Sequence, residues 1–299
     1  MSQHAITRWL IAVSIGCGGA DHPPAPTSSS ASERVVERAP TAVGDAASSP
    51  SAAPSSAAAV EPPAHRALFQ DEPRIRQLAL QGFEPAHIVL PRGEGRQKAR
   101  LALIAHGAGE RPEPHCAHYE ALLPDDYLLV CTRGYPSNKH LPEAQRGYFY
   151  DGHPKLGQEL QAIFTVLATE EPYASSVELE RALYVGFSQG ASMGILALHE
   201  RPELAAHFNG VLLVDGGAGE WTVSLAKRMA QRDMRVGIVC GQPSCREKAE
   251  RSRPWLAQAG LAAELRLRTA SHSLEGPLGE DVKELLPWLL REPGPATAQ

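Results

Sequence analysis

Ser188 stands between two glycines in Gly186-Phe187-Ser188-Gln189-Gly190, directly after the apolar run Ala182 to Val185. A serine hydroxyl attacks well only when a base takes its proton and nearby donors stabilise the oxyanion that the attack creates. The sequence offers candidates for each part. A G-x-S-x-G string recurs by chance in a chain with 26 glycines. Lying between an apolar strand and a helix, it becomes an elbow, where the serine sits in a strained turn and the glycines relieve crowding between strand and helix. Of the twelve histidines, His272 in "TASHSLEG" follows the last strand-like segment and completes a Ser…acid…His order. His106 in "HGAG" lies in a glycine-rich turn, is the poorer candidate for a base and is assigned a structural role.

These residues need elements to position them. Strand-like segments run over 86–91, 99–107, 126–134, 181–187, 210–217, 235–241 and 263–270. Helix-like segments at 116–123, 157–170, 190–202, 220–231, 246–260 and 279–292 alternate with them. Strands separated by helices imply parallel βαβ units, and near-continuous apolar strands imply a sheet covered on both faces. Ligands of such sheets bind beyond the carboxyl ends of the strands. "HGAG", "GFSQG", "VDGG" and "TASHSLEG" all fall at those ends.

With "GFSQG" and "HGAG" in place, residues 86–292 resemble the α/β-hydrolase superfamily, in its carboxylesterase/phospholipase and acyl-thioesterase branch. The resemblance implies a mainly parallel central sheet with helices on both faces. It implies Ser188 as nucleophile, His272 as general base, and an oxyanion hole from the backbone N–H groups of Ala108 and Gln189. It implies cleavage of a carboxylic ester or thioester through an acyl-serine, with no metal or organic cofactor. The short loop "GGAGEW" occupies the place where superfamily cap domains insert, so no large cap is expected.

The family's usual acid sits three residues beyond the glycine of "RVGIVCG", and that position here is Ser244. Three repairs stay open. Asp215 matches an acid position one strand earlier that some superfamily members use. Glu247 lies near the usual place but begins a helix, where an acid is commonly a favourable terminal charge. The third is a dyad, His272 oriented by a backbone carbonyl or water. Phe187 reads as core. Tyr148, Tyr150 and Asp151 lie in the aromatic stretch "GYFYDGHP", which lines a pocket or packs.

Composition sets the remaining bounds. The net charge of -5 comes from 34 acidic and 29 basic residues without long runs of either sign, which argues against a nucleic-acid partner. The expected substrate is a small-molecule or polymeric ester. Residues 1–17 carry Arg8, a short apolar segment and small residues around Cys17, which reads as a secretory signal. Its end, "SIGC", resembles the bacterial lipobox, implying a diacylated Cys17 and a protein anchored by lipid in the periplasm, at the outer membrane or on the cell surface. Residues 18–65, rich in Ala, Ser and Pro, read as a disordered tether. The domain is assigned to 66–292, a size at which an α/β core suffices without staples, and a tail to 293–299.

Setting Cys17 aside leaves Cys116, Cys131, Cys240 and Cys245, enough for two bridges in three connectivities. Cys116–Cys131 and Cys240–Cys245 are favoured because each pair brackets one local unit. No pair has CxxC spacing, so a metal role is not expected. Two rivals to a small-ester hydrolase follow from the same residues. One is a feruloyl- or polyester-type esterase acting on extracellular polymers, favoured by the missing cap and the tether. The other is a non-catalytic binding lipoprotein that kept the fold and lost its acid. A carboxylate within reach of the His272 ring separates the last from the first two.

Overall fold

The structure is a computed structural model that describes residue 69, residues 73–92 and residues 98–291. The segments read as signal (1–17, with Cys17), tether (18–65) and tail (293–299) lie outside the described residues.

In chain order the strands are β1 (Ile75–Leu78), β2 (Ala86–Val89), β3 (Arg100–Ala105), β4 (Tyr127–Cys131), β5 (Tyr135–Pro136), β6 (Tyr148–Phe149), β7 (Ala182–Phe187), β8 (Phe208–Val214), β9 (Arg235–Cys240) and β10 (Ala262–Leu267). The helices are α1 (Pro112–Glu120), α2 (His153–Thr169), α3 (Tyr173–Ser176), α4 (Gln189–Glu200), α5 (Pro202–Ala205), α6 (Val223–Ala230), α7 (Pro243–Gln258) and α8 (Pro277–Leu289). One eight-stranded sheet has the order β1-β2-β4-β3-β7-β8-β9-β10. From β4 to β10 every pairing is parallel, while β1 and β2 run antiparallel at one edge. β5 and β6 form a separate two-stranded ribbon.

The sheet buries both faces, and alternation along each strand sorts the side chains between them. On β3, Leu101, Leu103 and Ala105 join a core with α2, α4, α6 and α7, whereas Ala102 and Ile104 join one with α1 and α8. β7 alternates likewise, with Tyr184 on the first side and Leu183, Val185 and Phe187 on the second. This two-sided cover explains why the central strands are apolar along most of their length, with Arg100, Asn209 and Arg235 confined to their starts.

Four helices start two or more residues earlier than their apolar periodicity suggests, each with a proline at its first or second position: α1, α7 and α8 begin at Pro112, Pro243 and Pro277, and α2 at His153 before Pro154. Proline is suited to the first turn because its missing N–H has no intrahelical acceptor there and its φ is already helical. The bridges are Cys116–Cys131, joining α1 to the end of β4, and Cys240–Cys245, joining the end of β9 to the first turn of α7.

Candidate active site

β7 delivers Phe187 and then turns sharply into α4 at Ser188, whose φ of 51° and ψ of -111° lie outside the ordinary regions for a residue with a Cβ. Such a conformation costs on the order of 1–3 kcal/mol and persists only where the surroundings over-determine it. Here they do. Ser188 N donates to Val214 O at 2.8 Å, Gly190 N to His106 O at 3.1 Å, and the Tyr184 hydroxyl to Gly190 O at 2.7 Å. The glycines answer to space: a Cβ on Gly186 would lie 2.5 Å from Ala191 Cα, and one on Gly190 2.3 Å from Ala105 O.

β8 ends one strand away at Asp215, itself at φ 50°, a conformation that Asp tolerates better than most residues. Its side chain is fully buried, and its carboxylate is nonetheless well supplied with donors. Oδ1 accepts the backbone N–H of Gly241 at 2.9 Å and of Gln242 at 3.0 Å, while Oδ2 lies 2.7 Å from His272 Nδ1. On the other side of the ring, His272 Nε2 is 2.9 Å from Ser188 Oγ. An ionised carboxylate only accepts, so Nδ1 carries the proton and the Nε2 lone pair faces the hydroxyl. Phe187 belongs to the core and also stacks on the His272 ring, with centroids 4.8 Å apart, so its role extends to seating the imidazole.

The other acid candidate is elsewhere. Glu247 is exposed on α7 and pairs with Arg251 at 3.4 Å, one helical turn on. Ser244, at the usual acid position, lines the cavity beside Ser188. The carboxylate at 2.7 Å leaves no need for a backbone carbonyl or water to orient the ring.

The turn after β3 is built around donors. Gly107 N donates to Glu110 Oε2 at 2.7 Å and Gly109 N to Tyr148 O at 2.8 Å. Between them the N–H of Ala108 bonds no described group, and neither does the N–H of Gln189, which opens the first turn of α4 where no intrahelical acceptor exists. Gln189 is pinned by its side chain, which accepts from Tyr150 N at 3.1 Å and donates to Tyr150 O at 3.2 Å.

His106 has the structural place expected of it. Its ring nitrogens face Gly107 O at 2.7 Å and Arg133 O at 3.0 Å, and burial holds its pKa below the usual histidine value. Glu110 was not anticipated. Burial pushes its carboxyl up, but the His115 hydrogen bond and charge, with the Gly107 N–H, bring it net below the usual carboxylate range. Its only signal in sequence was an acid next to "HGAG". Tyr148 and Tyr150 are buried packing residues rather than pocket lining: Arg133 Nη1 donates to the Tyr148 hydroxyl at 3.1 Å, and His106 N to that of Tyr150 at 3.1 Å.

Two cavities flank the Ser188–His272 contact. One of about 310 Å³ is lined by Ser188, Gln189, Ser192, Met193, Ser244 and Lys248 among others. The second, about 290 Å³, includes Glu110, His115, His118, Phe187, His272 and Leu274. Among the described residues no group of His, Cys, Asp and Glu is arranged to hold a metal ion.

No family model and no curated protein matches this sequence. Solved structures do resemble it in fold. A carboxyl esterase from Bacillus coagulans shares 11% identity at a TM-score of 0.53, over 72% of this chain and 97% of that one. An esterase from Pyrobaculum calidifontis shares 11% at 0.50, over 74% and 87%. An uncharacterized protein from Bacillus cereus shares 17% at 0.51 over 67% of this chain, and the match spans 62% of that protein's length. The chain thus has the α/β-hydrolase fold, a mainly parallel sheet with helices on both faces.

Proposed function

We propose that this protein is a serine hydrolase that cleaves carboxylic ester or thioester bonds through an acyl-Ser188 intermediate. The observation that carries the reading is the hydrogen-bonded relay from Ser188 Oγ through His272 to Asp215 at the carboxyl edge of the sheet. In the first half-reaction His272 Nε2 takes the hydroxyl proton as Oγ bonds to the substrate carbonyl carbon. Asp215 holds the ring in the accepting tautomer and stabilises the imidazolium. The N–H groups of Ala108 and Gln189 receive the oxyanion, where one such donor is typically worth about 3 kcal/mol. The tetrahedral intermediate collapses as imidazolium gives its proton to the departing oxygen or sulfur. Water then repeats the sequence on the acyl-serine and restores the hydroxyl.

The departing group must come within reach of His272 Nε2, so we assign it to the cavity that His272 lines and the acyl group to the cavity beside Ser188. Among the described residues only Asp215, "GGAGEW" and Thr222 separate β8 from α6, and this uncovered site also suits a polymeric ester. Asp215 beside the ring supports the catalytic reading over that of a non-catalytic binding protein, which supposed a lost acid. Export and a lipid anchor at Cys17 are part of the same proposal. They rest on the residues of 1–17 and gain support from two bridges in a chain of this size. Membrane fractionation of cells carrying Cys17→Ala tests the anchor, since the variant should leave the membrane fraction.

Labelling with a fluorophosphonate followed by peptide mapping tests the chemistry. The adduct is expected on Ser188. Ser188→Ala should abolish labelling and lower turnover of p-nitrophenyl esters by about 10⁶-fold with the fold intact. Residual activity within tenfold of wild type would sink the nucleophile assignment.

A further inference from the structure

We infer that the Cys240–Cys245 bridge positions the acid of the relay, by holding the turn whose two backbone N–H groups fix the Asp215 carboxylate. The inference deepens the hydrolase reading above and rests on it. Both donors, Gly241 N and Gln242 N, lie inside the loop that this bridge closes. Cys240 is fully buried as the last residue of β9, where its carbonyl accepts Arg268 N at 3.1 Å. Cys245 is buried in the first turn of α7. The bond therefore ties the start of a helix to the end of an interior strand.

Beyond the two bonds to Asp215, that start is held by Ala270 N donating to Gly241 O at 3.3 Å. Gln242, at the N-cap of α7, makes no side-chain cap hydrogen bond, and the first turn carries no acidic residue. Ser, Thr, Asp or Asn at such a position would have bonded the free N–H groups locally. Here the donors just before the helix turn outward to a carboxylate 26 and 27 residues away in sequence. The site also departs from the family resemblance at this loop, because Ser244 stands where the acid was expected. A loop that no longer supplies the carboxylate instead orients one carried by the neighbouring strand.

Two effects follow for the chemistry. The terminal torsion of Asp is broad, so without two fixed donors on Oδ1 the carboxylate no longer presents Oδ2 to His272 in one orientation. The N–H groups also withdraw negative charge from the carboxylate, and hydrogen bonds to a charged form set its strength. When they are lost, the carboxylate keeps more of its charge and its place against the ring is no longer fixed.

The test compares kcat, KM and the acid limb of the kcat/KM profile for wild type and three variants. Cys240→Ala with Cys245→Ala should lower kcat at least about tenfold with KM nearly unchanged, and displace the acid limb of the kcat/KM profile by about half a pH unit or more. Cys116→Ala with Cys131→Ala, removing the other bridge, should lower Tm and leave the acid limb where it is. Gln242→Pro keeps the bridge and deletes one donor at a φ of -72° that proline accepts. It should displace the limb as well and isolates the donor; if the bridge variant does not fold, dithiothreitol reduction of the Cys116→Ala, Cys131→Ala protein, whose remaining described bridge is Cys240–Cys245, carries the test. The inference is overturned if the folded protein without the Cys240–Cys245 bridge keeps kcat within twofold and the limb in place, whatever Gln242→Pro does, which is what a bridge that only adds stability would do. Wild-type turnover that does not depend on Ser188 would instead overturn the hydrolase reading itself, and is measured first.

Discussion

Asp215→Asn is the perturbation whose outcome the geometry specifies most closely, because the new amide has only one comfortable orientation. The corner of the side chain facing Gly241 N and Gln242 N, at 2.9 and 3.0 Å, must remain an oxygen. Turning the amide NH₂ toward them sets donor against donor and forfeits two buried hydrogen bonds, on the order of 2–6 kcal/mol at ~1–3 each. With the oxygen so placed, the NH₂ faces His272 Nδ1 in place of the Oδ2 now 2.7 Å from it. Nδ1 must then be the acceptor and the ring proton moves to Nε2, 2.9 Å from Ser188 Oγ. That tautomer cannot receive the serine proton. Activity requires either the unfavourable amide flip or the wrong hydrogen-bond pairing, and both place the penalty near the ~10⁴-fold rate loss known for this exchange in other serine hydrolases, about 5–6 kcal/mol. Steady-state hydrolysis of p-nitrophenyl acetate at neutral pH measures it. Calorimetry should find Tm within a few degrees of wild type, since the oxygen keeps both backbone bonds. A rate within tenfold of wild type, in a folded variant, would refute the tautomer argument.

Gly190→Ala would put a Cβ 2.3 Å from Ala105 O and 2.7 Å from His106 O, both backbone atoms that no rotamer change can relieve; urea denaturation should show a loss of at least about 3 kcal/mol or no folded protein. Glu159 is buried beneath the β4 turn, accepts the N–H groups of Arg133 and Gly134, and is raised by burial from 4.5 to about 7. A carboxyl whose folded pKa is raised contributes stability that is full below about 4.5 and lost as pH rises through about 7, on the order of 3 kcal/mol. Glu159→Gln should therefore be the more stable protein at pH values above 7 and flatten the pH dependence, and equal slopes for both proteins would contradict this. Domain protein made in an oxidising compartment without residues 1–17 should show no reactive thiol under denaturing maleimide labelling, because all four described cysteines are bridged; two or more labelled thiols would refute the pairing.

Much of this site was legible in sequence because its signals are local. The elbow is five consecutive residues whose glycines answer to contacts within the same strand-turn-helix unit, and His272 was found by its place after the last strand. The alternation of apolar strands with helices likewise needs no knowledge of distant residues, and a strand without polar positions already states that both its faces are covered. The bridges followed the same logic, each closing a short stretch of chain. What the sequence did not decide was the acid. Asp215 and Glu247 are both carboxylates near the carboxyl ends of neighbouring strands, and His272 lies 57 residues beyond the first. Only the lateral packing of β8 beside β9, the left-handed turn at Asp215 and the inward-facing N–H groups of Gly241 and Gln242 put one carboxylate against the ring and left the other in solvent on α7. Glu110, the antiparallel β1–β2 edge and the stacking of Phe187 on His272 were hidden for the same reason. Their meaning depends on which distant backbone or ring they meet, and that is set by the summed geometry of the sheet rather than by any run of neighbouring residues.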